Sequence, residues 1–262
     1  MLFLVTTVAL AIVFAAVALV VIKRVRTGTW AMPTGQDIVW VRSRLGDEQQ
    51  PPRIIYLNRE PTVITAAKHD VSHANKSGLI ERNGITEAKL PGFTGSKKTW
   101  RAIVKCVEKQ FEPFDIRVVQ ERPAKPGYIM VLVGGRARDI GITEGHHVSG
   151  LAPFNSEVVP DPIVFAFARE VKNKSRIVCE TIAMEVGHAY GLDHGYLCKD
   201  VMSYLTGCGS KSFVDKEVRC GEHKPRDCHG GAPTQNSYRL LTTVVGARKP
   251  AAPVTPMANE AK

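Results

Sequence analysis

Short apolar runs alternate along the chain with longer stretches in which apolar positions return every three or four residues, the pattern of strands interleaved with helices. R-I-I-Y-L-N at 53–58 reads as a first strand, with Pro52 just outside it. D-I-R-V-V at 115–119, Y-I-M-V-L-V at 128–133 and P-I-V-F-A-F-A at 162–168 read as further strands, bounded by Pro and Gly. Residues 96–111 set Trp100, Ile103, Val104, Val107 and Phe111 at helical spacing. A second helical stretch gathers Cys179, Ile182, Val186, Ala189 and Tyr190 on one side, and 236–246 reads as a closing helix ended by Gly246. Residues 62–90 are polar and predict loops with weak structure. G-G-R at 134–136 predicts a turn; it is too bare for a phosphate loop, and no helix signal follows it. The glycine- and cysteine-rich stretch 205–231 shows little periodicity. Together these features predict an α/β (α+β) fold, with a mixed, twisted sheet packed against helices.

The chain opens differently. Residues 1–22 carry no charge, and only Thr6 and Thr7 interrupt the apolar run. As a helix this run would span about 33 Å, enough to cross a bilayer core. Lys23, Arg24 and Arg26 follow at once, and neither a positive n-region nor a clear small-residue cleavage site is present. A retained transmembrane anchor therefore fits better than a cleaved signal peptide. Residues 23–51 read as a linker, with strand character only at 37–42. The main domain is expected over 52–248, long enough for one developed core, and 249–262 as a disordered tail.

Charge and cysteines bear on compartment. The three cations after the apolar run would keep the domain in the cytoplasm by the positive-inside rule. The six cysteines, Cys106, Cys179, Cys198, Cys208, Cys220 and Cys228, argue the other way. An even set with four members between 198 and 228 suggests disulfides and an oxidising compartment. About fifteen connectivities are possible; the local pairs Cys198–Cys208 and Cys220–Cys228 are economical and would leave Cys106–Cys179 to join two helices. No C-x-x-C pair supports a zinc cluster instead. The expectation is a membrane-anchored, monomeric protein with an extracytoplasmic domain, or a secreted one. Lys and Arg outnumber Asp and Glu by 35 to 25, a net charge of +10. Such a surface could favour acidic substrates, anionic headgroups or cell-surface polymers. No basic stripe interleaved with aromatics points to nucleic acid.

Chemistry concentrates at E-T-I-A-M-E-V-G-H-A-Y-G-L-D-H, residues 180–194. On a helix, Met184 and His188 stack one turn apart, and Glu185 lies about 100° round from Met184. Gly191 can end the helix in the left-handed conformation and turn the chain, so that His194 reaches the same point. The apolar stripe points away from Met184 and His188, so Met184 faces the site. Converging imidazoles are zinc ligands, and a neighbouring carboxylate can act as base toward a water held there. Methionine is a soft, weak ligand better suited to Cu(I) than to Zn2+. A further donor is therefore wanted: Tyr204, the adjacent pair His146 and His147, or His223 and His229 in the cysteine-rich segment.

The stretch resembles the H-E-x-x-H-x-x-G-x-x-H pattern of the metzincin clan of zinc endopeptidases, with Met184 in place of the first histidine. Glu185, His188, Gly191 and His194 match it. D-V-M-S-Y at 200–204 resembles the clan's methionine turn through Met202. Tyr204 is similar in position to a tyrosine that astacin-like members use to bind zinc or steady an oxyanion. Matrixin-like and astacin-like proteins are the nearest in pattern, and the resemblance covers roughly the second half of the domain. It implies a zincin fold with an active-site helix, a C-terminal helix and an edge strand along a substrate cleft. It further implies Glu185 and Tyr204 as catalytic residues, and His188, His194 and Met184 around a Zn2+ ion held weakly, or not at all, for want of the first histidine. The implied function is zinc-dependent hydrolysis of peptide or protein substrates; the alternative is a degenerate metzincin fold serving as a binding or structural module.

Overall fold

In chain order the elements are β1 (Ile54–Asn58), β2 (Thr62–Ala66), β3 (Lys76–Ser77), α1 (Gly78–Arg82), β4 (Glu87–Leu90), α2 (Lys97–Phe111), β5 (Arg117–Val119), β6 (Ile129–Val133), β7 (Gly150–Leu151), β8 (Ile163–Ala166), α3 (Ser175–Ala189) and α4 (Ser237–Val245). This computed structural model describes residues 51–143 and 148–249. The expected anchor at 1–22, the strand at 37–42, the pair His146 and His147, and the tail from 250 onward lie outside the described residues. Among the described residues, no helix is long and apolar enough to cross a membrane.

The unbroken apolar runs of β6 and β8 make sense only if both faces of their sheet are covered. Five strands lie in the order β5-β1-β6-β8-β7, all parallel except the β7 edge, which pairs antiparallel with β8. Side chains alternate across the sheet. Ile129, Val131 and Val133 of β6 join Ile55, Leu57 and Val164 on the face that meets α2, α3 and α4. Met130 and Leu132 join Tyr56, Ile163 and Phe165 on the opposite face.

That opposite face corrects the sequence expectation. Residues 62–90 are not loop-like: β2, β3 and β4 form a second sheet, order β3-β2-β4, which with α1 supplies Ile64, Leu79, Ile80, Ala88 and Leu90 to the core. Only one face of this small sheet is buried, so its apolar residues are sparse, and Val63 projects into solvent. The segment is held by a polar tether with no hydrophobic signature. The Asp70 carboxylate accepts from Ser77 Oγ (2.9 Å), the Gly78 amide (2.7 Å) and the Ile163 amide (2.7 Å), tying it to β8. A second correction concerns the turn at 134–136. It is followed by a short 3-10 segment, Ala137–Ile140, whose Ala137 and Ile140 are buried against β4.

The three longer helices, α2, α3 and α4, follow their sequence signals closely, whereas α1 lies in the stretch expected to be loops. Ser96 caps α2 by accepting from the Thr99 amide, and the buried residues are the five expected ones. Helix α2 stops just before Pro113, which cannot continue it. It packs against α3, and a disulfide between Cys106 and Cys179 joins the two. The other bridges are Cys198–Cys208 and Cys220–Cys228, so the economical pairing is the one found. Between α3 and α4 the chain runs without helix or strand, held by these two bridges and isolated backbone pairs such as Val218 with Gln235.

Loop-closure entropy ranks the bridges. Cys106–Cys179 closes 73 residues and Cys198–Cys208 only 10. Removing the first, as Cys106→Ala/Cys179→Ala, should cost about 4 kcal/mol against about 3 for Cys198→Ala/Cys208→Ala. Urea unfolding of both variants measures this; a larger loss from the short loop would contradict the ranking.

Candidate active site

The site begins with the way α3 ends. Gly191 adopts φ +88°, its amide donates to His188 O (2.9 Å) and the Leu192 amide donates to Gly187 O (3.0 Å). This paired closure satisfies the last carbonyls of the helix and needs a left-handed residue. A Cβ on Gly191 would also lie 3.0 Å from Ser156 O. The reversed chain passes His188, whose Nδ1–H donates to the Leu192 carbonyl at 2.7 Å. Three residues beyond Gly191, His194 stands against His188, ring centroids 4.4 Å apart and planes at 87°.

A buried network holds His194 in place. The Asp193 backbone is gripped by Gln235, which accepts from its amide (2.7 Å) and donates to its carbonyl (2.8 Å). The Asp193 carboxylate, on a residue 2 % exposed, accepts from both terminal nitrogens of Arg226 (2.6 and 2.9 Å), the His229 amide and the His194 amide. Burial alone would push Asp193 upward, but the Arg226 guanidinium and these amides outweigh it and hold the carboxyl well below its ordinary range. His194 Nδ1 faces the Met202 carbonyl at 3.3 Å.

Met202 is fully buried beneath the helix. A Cβ on Gly187 would lie 2.5 Å from its sulfur, so only glycine permits this approach of helix and turn. The turn is fixed by Asp200, which accepts from the Met202 amide (2.9 Å) and from Ser237 Oγ at the start of α4 (2.7 Å).

Both imidazoles therefore present Nδ1 to carbonyls, which makes Nδ1 the protonated nitrogen and leaves each Nε2 with a free lone pair. Burial, reinforced by the neighbouring His194, lowers His188 to about 4, and burial likewise lowers His194. Neutral imidazoles whose second nitrogen donates to a carbonyl suit a borderline divalent cation such as Zn2+. Two donors of the shell thus fit. Among the described residues no third His, Cys, Asp or Glu gathers with them. Asp193, Cys220 and Cys228 do cluster, but those sulfurs are joined to each other and Asp193 is taken up by Arg226.

The remaining expected residues line a cleft of about 930 Å³. Thr181, Met184, Glu185, Tyr204 and His223 all line it. Met184 is half-buried, resting partly on the helical core, so it borders both core and site. Burial pushes Glu185 up to about 8. The Tyr204 ring lies 4.2 Å from the His194 ring, and burial, then the carboxylates of Glu185 and Glu222, raise its hydroxyl. His223 meets the Tyr204 ring edge-on at 6.3 Å, whereas His229 is engaged by Asp193 at 3.0 Å and packs on Phe154. His146 and His147 lie outside the described residues.

Three contributors carried no separable sequence signal. Gly150 on β7 approaches so closely that a Cβ there would lie 2.7 Å from Glu185 Oε1, which puts the sheet edge beside the carboxylate. Glu222, clamped by Arg226 at 2.6 Å, faces His194 and lowers in pKa through that clamp. Asp193 was visible only as the neighbour of a candidate ligand. No protein-family model and no curated protein matches the chain.

Because Asp193 is held ionised, its contribution to stability is present above the unfolded value of about 3.9 and is lost as pH falls toward the lower folded value. Asp193→Asn should therefore cost about 2 kcal/mol at neutral pH, with the gap to wild type narrowing in acid. Urea midpoints across pH 2–7 read this, and a gap that widens toward low pH would reverse the assignment.

Proposed function

We propose that the protein hydrolyses peptide bonds in the manner of the metzincins, with His188 and His194 holding a zinc ion and Glu185 as general base. One observation carries this reading: the His188 and His194 rings lie 4.4 Å apart with each Nδ1 turned to a carbonyl, and Glu185, three residues before His188 on the same helix, borders a cleft with the sheet edge at Gly150. The buried methionine under Gly187 and the helix ended at Gly191 support the metzincin kinship. Among the described residues, Tyr204, His223 and the Met184 thioether line the same cleft and are the side chains left to complete the shell.

A bound Zn2+ would polarise the scissile carbonyl and acidify the attacking water. The chain's own residues supply the rest. The outer edge of β7 offers backbone groups to an extended peptide, which would add as a further strand. Glu185 takes the proton of the water that attacks the carbonyl and passes it to the leaving amine. Its burial raises its hold on that proton between the two events. Tyr204 keeps its hydroxyl proton, raised as it is, and so can donate to the developing oxyanion.

Met184 favours a second reading. Without the first nitrogen donor, the same cleft and edge strand would serve a peptide-binding module that does not cleave.

Zinc content and peptide cleavage by the purified full chain separate the two. The hydrolase reading expects one zinc per chain and chelator-sensitive cleavage, with kcat falling on the order of 10²–10⁴-fold in Glu185→Gln while zinc is retained. A chain that stays metal-free in excess zinc, yet binds peptide, is the module. Met184→His should tighten zinc binding by restoring a nitrogen donor aimed at the pair; unchanged affinity would place residue 184 away from the ion.

A further inference from the structure

Helix α2 carries a file of cations that the fold does not use. Lys98, Arg101, Lys105 and Lys109 are spaced by three, four and four residues, which puts them down the outermost side, opposite the buried Trp100, Ile103, Val104, Val107 and Phe111. Lys97 flanks the file, and all five are exposed. Among the described residues none of them makes an ion pair, although Glu108 and Glu112 lie on the same helix and its cap. The file is about 16 Å long, with charges about 4.5–6 Å apart along the axis.

Like charges four residues apart, as in Arg101–Lys105 and Lys105–Lys109, destabilise a helix. Lys97 and Lys98 stand at its first turn, the positive end of the helix dipole. An anionic partner would reverse both effects.

We infer that this face of α2 is a docking surface for a linear sulfated polysaccharide. The cations are in single file, which matches an extended polyanion rather than a plane of headgroups. A membrane-surface helix also needs apolar side chains to insert. Ala102 is the only apolar residue on this face, and the exposed large hydrophobics of the described chain, Val63 and Tyr204, lie elsewhere. Three disulfides fit an oxidising compartment, where acidic polysaccharide is the available linear polyanion and nucleic acid is not. The Cys106–Cys179 bridge fixes α2 to α3, so a polymer bound here holds the cleft at a set distance from it. This surface is independent of whether the cleft hydrolyses peptides.

Heparin binding by the full chain tests the assignment. Lys98→Gln/Arg101→Gln/Lys105→Gln/Lys109→Gln should weaken binding by about tenfold or more at physiological ionic strength and flatten its salt dependence, since fewer counterions are released. Lys98→Arg/Lys105→Arg/Lys109→Arg should keep wild-type affinity. So should a control with the same charge change on the second sheet and its flanking segments, Lys68→Gln/Lys76→Gln/Lys89→Gln/Arg138→Gln. Undiminished heparin binding by the α2 glutamine variant, or an equal loss in the control, overturns the proposal. So would tighter binding of phosphatidylserine vesicles or single-stranded DNA than of heparin through the same four residues.

Discussion

Everything at the candidate site hangs on how one helix ends. Ala189 is the last residue of α3, and the left-handed Gly191 folds the chain back across the helix's own last carbonyls. That reversal brings His194 against His188 and lets the Leu192 carbonyl orient the His188 ring. A β-branched or bulky residue at 191 would be strained at this φ and would press on Ser156. The two histidines are six residues apart in sequence, but they share a point in space because of this turn.

A turn by itself sets a direction, not a position. The position comes from the segment after α3, which has no regular structure of its own. Gln235 fixes the backbone of Asp193, Arg226 and His229 fix its carboxylate, and the Cys220–Cys228 bridge closes the loop that holds Arg226, with His229 one residue beyond it. The buried charge of Asp193 is tolerable because its oxygens are met by a guanidinium and backbone amides. From beneath, Met202 supports the helix through the gap left by Gly187, and Asp200 links that support to α4. Irregular backbone can thus carry a precise site when charge-assisted hydrogen bonds and cross-links replace a ladder.

Met184 gives the site its particular character. Burial holds the two imidazoles toward their neutral form, raises the hold of Glu185 on its proton and raises the Tyr204 hydroxyl, and Met184 sets a thioether one helix turn before His188. The half-buried setting of that side chain, between core and cleft, suits methionine's flexible and apolar character better than it would a charged residue.

The sequence alone determined the elements with strong periodicity and the chemistry carried by fixed spacing. The strands β1, β6 and β8 of the large sheet are apolar on both faces, and α2 and α4 carry helical stripes with clear caps, so local pattern suffices for them, whereas the two-residue edge β7 carries no such pattern. His188, Gly191 and His194 were readable because one helix turn and one glycine dictate their geometry, whereas the sequence left the disulfide connectivity open and only made the two short-loop pairs the economical ones. Tertiary structure decided the rest. The second sheet at 62–66, 76–77 and 87–90 was hidden because one of its faces is polar and its anchor is the Asp70 carboxylate, which no hydrophobic pattern announces. The close approach of Gly150 to Glu185, and the grip of Arg226 on Asp193 and Glu222, join residues about 30 or more positions apart except for the local Glu222 contact. Such contacts depend on the packing of whole layers and on hydrogen bonds made across the chain, and neither leaves a periodic trace in the residues that make them.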